Sequence, residues 1–237
     1  MKKAFYLFVT AAVMCSCSVY HPQMTDVPLI THQGDGHAEY SASIDWMGVP
    51  IAIENNLSIS YGVTDWLAVQ AAGSTDMGRG LYGQAAAGIY KAFGSAVVEL
   101  YGGYGTGYCY NDDSKKSHSW YQQGRYQVGY GQLDFGWVGL IDGHLDIGFG
   151  LKGGMVYPDV TLWKEKVAED GNTYMVRETD YKEQHLLVEP QLMLRVGGQH
   201  LKACIRLGCC DLTPVKKEAE LLPYAPFSIA VGVNYRF

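Results

Sequence analysis

No apolar run in this 237-residue chain approaches the roughly 18 residues that a membrane-crossing helix requires. A helical membrane protein is thereby excluded. Charge is scarce, with Asp, Glu, Lys and Arg together at 18%, and it leans acidic, to a formal −6. Phosphate binding needs a basic surface, so no nucleic acid partner is expected. Nucleotide fingerprints are missing too: the glycines between Tyr101 and Tyr108 sit in a strand-like pattern, without the strand-to-helix context a phosphate loop demands. Past the amino-terminal region the cysteines are Cys109, Cys204, Cys209 and Cys210, and none has the C-x2-C or His-paired spacing of a metal centre. Neither metal nor cofactor is expected. Vicinal Cys209 and Cys210 would point to opposite faces of a strand, where they read as small wall residues rather than a disulfide.

What the chain does contain is hydrophobic residues at 48%, 29 glycines, and 18 tyrosines against 7 phenylalanines and 5 tryptophans. Such a composition argues for a β-rich exported protein and against disorder. Met1-Lys2-Lys3 is a basic start, Ala4 to Val13 is apolar but too short to anchor, and Ser16-Cys17 follows at cleavage distance. Residues 1–16 therefore read as a signal peptide. Met14 and Ser16 ahead of Cys17 resemble the lipobox of bacterial lipoproteins, which implies acylation at Cys17. The pattern departs from the usual one at Met14, where leucine is common, and at the extra Cys15.

Residues 17–36 hold Pro22, Pro28 and Gly34 with no clear period, and read as a periplasmic tether. From His37 to Phe237 an alternation of apolar with polar or small residues recurs in about ten segments, near 37–46, 54–62, 66–73, 80–91, 95–108, 119–137, 144–157, 184–197, 200–210 and 226–237. In the last, Phe227, Ile229, Val231, Val233, Tyr235 and Phe237 share one face, and Ser228, Ala230, Gly232, Asn234 and Arg236 the other. A soluble sandwich has the same period of two, so the connections discriminate. Those on one side are short (62–65, 91–95, 138–143, 197–199), and most on the other are longer and more charged (74–80, 111–118, 158–183, 211–225). That asymmetry specifies an all-β fold, an antiparallel up-and-down transmembrane barrel of about ten strands.

The ending Gly232-Val233-Asn234-Tyr235-Arg236-Phe237 resembles the carboxy-terminal assembly signal of Gram-negative outer-membrane barrels, with Tyr235 and Phe237 as its aromatics. The resemblance is to small proteins of that class and covers residues 37–237. It implies outer-membrane lipid and the barrel assembly machinery as partners, an outer-membrane location, and both termini in the periplasm. Trp46, Tyr61, Trp66, Tyr104, Tyr130, Trp137 and Tyr157 fit interfacial girdles.

Parity then assigns an interior. Glu39, Asp45, Glu99, Asp134, Asp146, Lys152, Glu189, Arg195, Lys202, Arg206 and Arg236 face inward as a network of charges, if the sixth segment changes parity at a β-bulge near Gly131-Gln132. Ten strands with long charged side chains inside make a plugged cylinder rather than an open channel. The most concrete recognition element is external: Asp170-Gly171 between two β-prone runs signals a hairpin over Val160 to Val176, with Trp163 and Tyr174 paired across it. Omptin proteases also use ten strands, with an Asp/His site at the rim, and His185 with Asp180, or His118 with Asp112 and Asp113, supplies the residue types. No second rim carboxylate pair on rigid strands accompanies them, so no enzyme is expected. The expected role is structural or surface-interacting, with an extracellular ligand left unidentified. A narrow channel for ions or small solutes is the alternative.

Overall fold

The computed structural model describes residues 18–22, 26–46, 53–76, 80–113, 119–168 and 172–237. The expected signal peptide, Cys17, His118, Asp170 and Gly171 lie outside the described residues, as do the side chains of Asp45, Trp46 and Asp113. Twelve strands are described: β1 (Gly36–Trp46), β2 (Ile53–Gly62), β3 (Leu67–Asp76), β4 (Gly80–Phe93), β5 (Ala96–Asp113), β6 (Trp120–Leu140), β7 (Leu145–Val167), β8 (Thr173–Tyr181), β9 (His185–Gly197), β10 (Leu201–Cys209), β11 (Asp211–Pro214) and β12 (Phe227–Arg236). Ten of them close a wall by antiparallel pairing, β1 to β7 in order, then β9, β10 and β12, which returns to β1. β11 prolongs β10 along β9, and β8 pairs with the far end of β7 alone.

The wall follows from period-two patterning. On β12, Phe227, Ile229, Val231, Val233 and Tyr235 are exposed on the outer surface while Ser228, Ala230 and Asn234 are buried inside. The outer face of the other strands is equally apolar, with Ile44, Leu57, Ile59, Leu100, Leu133, Leu151 and Ile205 all exposed. So continuous an apolar belt suits hydrocarbon and not water. Tyr61, Trp66, Tyr104 and Tyr157 stand outward as expected, whereas Tyr130 is buried in the lumen and belongs to no girdle.

At one end the connections are tight. Gly94 (φ +65°) makes the two-residue β4–β5 turn, and the β6–β7 turn uses Gly139 and Gly143 with Ile141 and Asp142, all at positive φ. The other end is ragged. β5, β6 and β7 have 18, 21 and 23 residues, about twice the 9–11 that cross a bilayer, so this quarter of the wall rises well beyond the membrane.

The expected bulge at Gly131-Gln132 does not occur. The β5–β6 register is unbroken from Ala96↔Trp137 to Asp113↔Trp120, and the irregularity falls in β6–β7 between Trp137 and Leu140. Parity on β6 is constant because Tyr126, Val128 and Tyr130 all point into the lumen, where they are buried. Lumen-facing Gly103, Gly105 and Gly107 on β5 make room for them: a Cβ at these positions would run into the rings of Tyr130, Tyr82 and Tyr126 respectively.

Candidate functional site: the filled lumen and the long-strand mouth

The largest departure from expectation concerns residues 18–22 and 26–35. They do not hang from the barrel as a tether but occupy its lumen. Val19, Tyr20, Asp26, Val27, Leu29 and Ile30 are fully buried there. An irregular backbone enclosed in a barrel is cut off from bulk water and must find partners on the wall. Glu99 of β5 accepts the Leu29 and Ile30 amides (3.0 and 2.8 Å). Gln132 Nε2 donates to the Asp26 carbonyl (3.0 Å) and Arg195 Nη1 to the Pro28 carbonyl (3.2 Å).

The lower lumen, nearer the short turns, is ionic. Arg195 of β9 meets Asp26 of the inner segment at 2.5 Å and Glu39 of β1 at 3.1 Å. Arg206 of β10 also reaches Glu39, and Asn234 of β12 donates to the same carboxylate (3.2 Å). Lys202 bridges Asp146 at 2.6 Å, with the Gly139 amide donating to the same oxygen. Higher up, Lys152 faces Glu189 (3.4 Å), donates to Gln84 (3.0 Å) and lies 4.3 Å from the centre of the Tyr130 ring. Glu99 and Asp134 are cross-strand neighbours, Asp134 accepting from Gln132 Nε2 at 2.7 Å. Arg236 is partly exposed at the base, where it clamps Asp35 (2.5 Å) and Thr31 (2.6 Å).

Ten of the eleven charges assigned inward by parity thus have described side chains, and each lines the lumen or its base. Sequence reasoning missed Asp26 and Asp35, since both lie in the aperiodic stretch. The inward charges offered no signal for them, since the acids Glu39, Asp45, Glu99, Asp134, Asp146 and Glu189 already balance the bases Lys152, Arg195, Lys202, Arg206 and Arg236.

The upper lumen is aromatic. Tyr20 packs edge-on against Tyr126 (5.5 Å between ring centres), which stacks on Tyr82 (5.9 Å), and Tyr20 donates to Glu189 (2.9 Å). Val128, Val156, Val160, Leu187, Leu212 and Leu222 complete this core. Beside it, His21, Glu54, Ser74 and Asp76 line a polar crevice open to the mouth.

Above the mouth, β6, β7 and β8 form a projecting sheet. The expected Trp163–Tyr174 pair is absent. A register shift between Leu162 and Trp163 sets Trp163 opposite Arg177 and Tyr174 opposite Lys166, and Trp163 instead stacks on Tyr121 of β6 (5.9 Å, 10° between planes). Val160, expected to begin the exposed hairpin, is buried; Tyr174, Met175 and Val167 are exposed. Asp180 accepts from Arg177 Nε (2.7 Å) and Thr161 (3.0 Å). Its slight desolvation acts the other way, but these bonds hold the carboxyl below its ordinary range.

The His185 and Asp180 pairing considered for a rim protease does not form. His185 is fully buried: its Nε2 accepts the Leu222 amide (3.0 Å), which leaves the Nδ1 proton for the Glu183 carbonyl (2.9 Å). Neither nitrogen is left to act as a base.

No protein-family model matches the chain, and no curated protein matches it. Among solved structures it is similar to the outer membrane protease OmpT from Escherichia coli, at 9% identity over 90% of this chain and 100% of that one, with a TM-score of 0.58. It is also similar to the N-terminal β-barrel domain of Pseudomonas aeruginosa OprF (15% identity, 87% and 99% covered, TM-score 0.38). Pseudomonas aeruginosa OprG is a third (11%, 87% and 97%, 0.38). At such identities the likeness to OmpT is one of fold, and no catalytic residue carries across.

Proposed function

We propose that this chain is a sealed outer-membrane barrel that works through its long-strand face, as a structural or surface-interaction protein rather than as a pore. The observation that carries the reading is the lumen itself, occupied by residues 18–22 and 26–35 with buried ion pairs below and a tyrosine core above. A solute path would need that segment displaced. Each buried ion pair lost in the process costs about 3–5 kcal/mol. The projecting β6–β8 sheet, with Tyr174, Met175 and Val167 exposed among charged neighbours, supplies the contact surface for an extracellular partner. Tyr235 and Phe237 serve as the terminal signal read by the barrel assembly machinery, and Cys17 as the acylation site.

Conductance of the purified protein in planar bilayers is the test. No steady current above the leak is expected. A reproducible open state altered by Arg206→Ala would replace this reading with that of a narrow channel.

A further inference from the structure

The two ends of the inner segment sit at opposite mouths. At its carboxy-terminal end the Gly34 amide donates to Gly62 O (2.8 Å), and Gly36 exchanges backbone hydrogen bonds with the terminal Phe237 (3.1 and 2.9 Å), all at the short-turn end. At its amino-terminal end the Ser18 carbonyl accepts from Asn111 Nδ2 (2.8 Å), near the far end of β5. The Val19 amide donates to Pro223 O (2.8 Å), Tyr20 forms a parallel bridge with Tyr224, and the Ala225 amide returns to Tyr20 O (3.0 Å). Pro223 and Tyr224 belong to the long connection between β11 and β12 on the hairpin side. The carboxy terminus and Ser18 are therefore not on one side, as the sequence led us to expect.

We infer that residues 18–35 cross the membrane inside the barrel, and that the amino-terminal end of the processed chain opens on the same face as the β7–β8 hairpin, opposite Phe237. Reach is sufficient, since a stretch of this length extends to about 55 Å at roughly 3.3 Å per residue, against a hydrocarbon core of about 30 Å. Non-helical backbone survives at membrane depth only where protein encloses it. Here Glu99, Gln132 and Arg195 answer the amides and carbonyls of Asp26, Pro28, Leu29 and Ile30. With the hairpin facing outward, anything attached to the chain's processed end, an acyl group or a free amine, is delivered to the outer surface. This goes beyond the sealed-barrel reading, and only the words inside and outside rest on it. The shared face of Ser18 and the hairpin does not.

Three variants test it, each carrying one short epitope: immediately before Ser18, within 169–171, or at Gly198 in the β9–β10 turn. Antibody binding to intact and to permeabilised cells is compared. The tag before Ser18 is expected to follow the hairpin tag, with both bound on intact cells and the Gly198 tag bound only after permeabilisation. If it follows the Gly198 tag instead, the inference fails. If the hairpin and Gly198 tags exchange behaviour while the Ser18 tag still follows the hairpin, the outward orientation fails and the inference stands. A second arm needs no insertion. Val19→Cys with Pro223→Cys should form a disulfide that shifts migration on a non-reducing gel, and Val19→Cys with Gly198→Cys should not. Absence of the first crosslink in a barrel that keeps heat-modifiable migration would also overturn the proposal.

Discussion

The lower and upper halves of the lumen are filled by different chemistry on the same ten strands. Below, Arg195, Arg206, Glu39 and Asp26 hold one another in bonds with fixed directions. Above, Tyr20, Tyr82 and Tyr126 pack by shape, with glycines on β5 accepting the rings. The ionic half depends on every partner being present, because a buried charge stripped of its counterion is costly. The aromatic half depends on volume, and individual polar atoms matter less there.

The sharpest way to break this contrast is Arg195→Met. It breaks the Asp26 ion pair and leaves Glu39 to Arg206 and Asn234, so a loss of about 3–5 kcal/mol is expected in urea unfolding of the refolded barrel. Adding Asp26→Leu should restore part of that loss, since replacing both members of a buried pair removes the stranded charge. In the upper half, Gly107→Val drives a side chain into the Tyr126 ring. Overpacking of this kind costs about 1–3 kcal/mol, read in the same unfolding experiment and as altered tyrosine environment in near-ultraviolet circular dichroism. Tyr130→Phe is the informative small change. The Tyr130 hydroxyl is buried and has no hydrogen-bond partner among the described residues, and the ring under Lys152 is retained, so stability should move by less than about 1 kcal/mol, in either direction. A cost as large as that of Arg195→Met would erase the distinction between the halves.

The smallest effect is expected outside both. Asp180 has a lowered carboxyl pKa, so its clamp on Arg177 and Thr161 is complete above the ordinary aspartate range and is lost only as pH falls through the lower folded value. Trp163 fluorescence should therefore stay constant from neutral pH down through about pH 4 and change only below it.

The same contrast explains which features were legible in the sequence. On the strands that build the ionic half, polar inward residues alternate with apolar outward ones, so Glu39, Glu99, Arg195, Lys202 and Arg206 could be assigned by counting in twos. On upper β6 the pattern is inverted, with Gln123, Arg125 and Gln127 exposed on the outer face and Tyr126, Val128 and Tyr130 buried in the lumen. Tyr126, Val128 and Tyr130 looked lipid-facing, and a bulge was needed to reconcile them with Asp134 further along. The inner segment gave no period at all, since a chain held by side chains of a surrounding wall has no reason to alternate. Polar residues and two prolines then resemble a linker. The hairpin was visible in its turn residues, but its cross-strand partners were not, because a single shift at Leu162/Trp163 reassigns every pair beyond it.

Enclosure of the inner segment also orders events in time. Arg195 and its partners Glu39 and Asp26 are separated by 156 and 169 residues of chain, so the ionic half cannot form until nearly the whole polypeptide has been delivered. Glu39 lies on the first wall strand and Arg206 on the penultimate one, joined through β12. The last seam of the wall and the ion pairs that span it therefore close together.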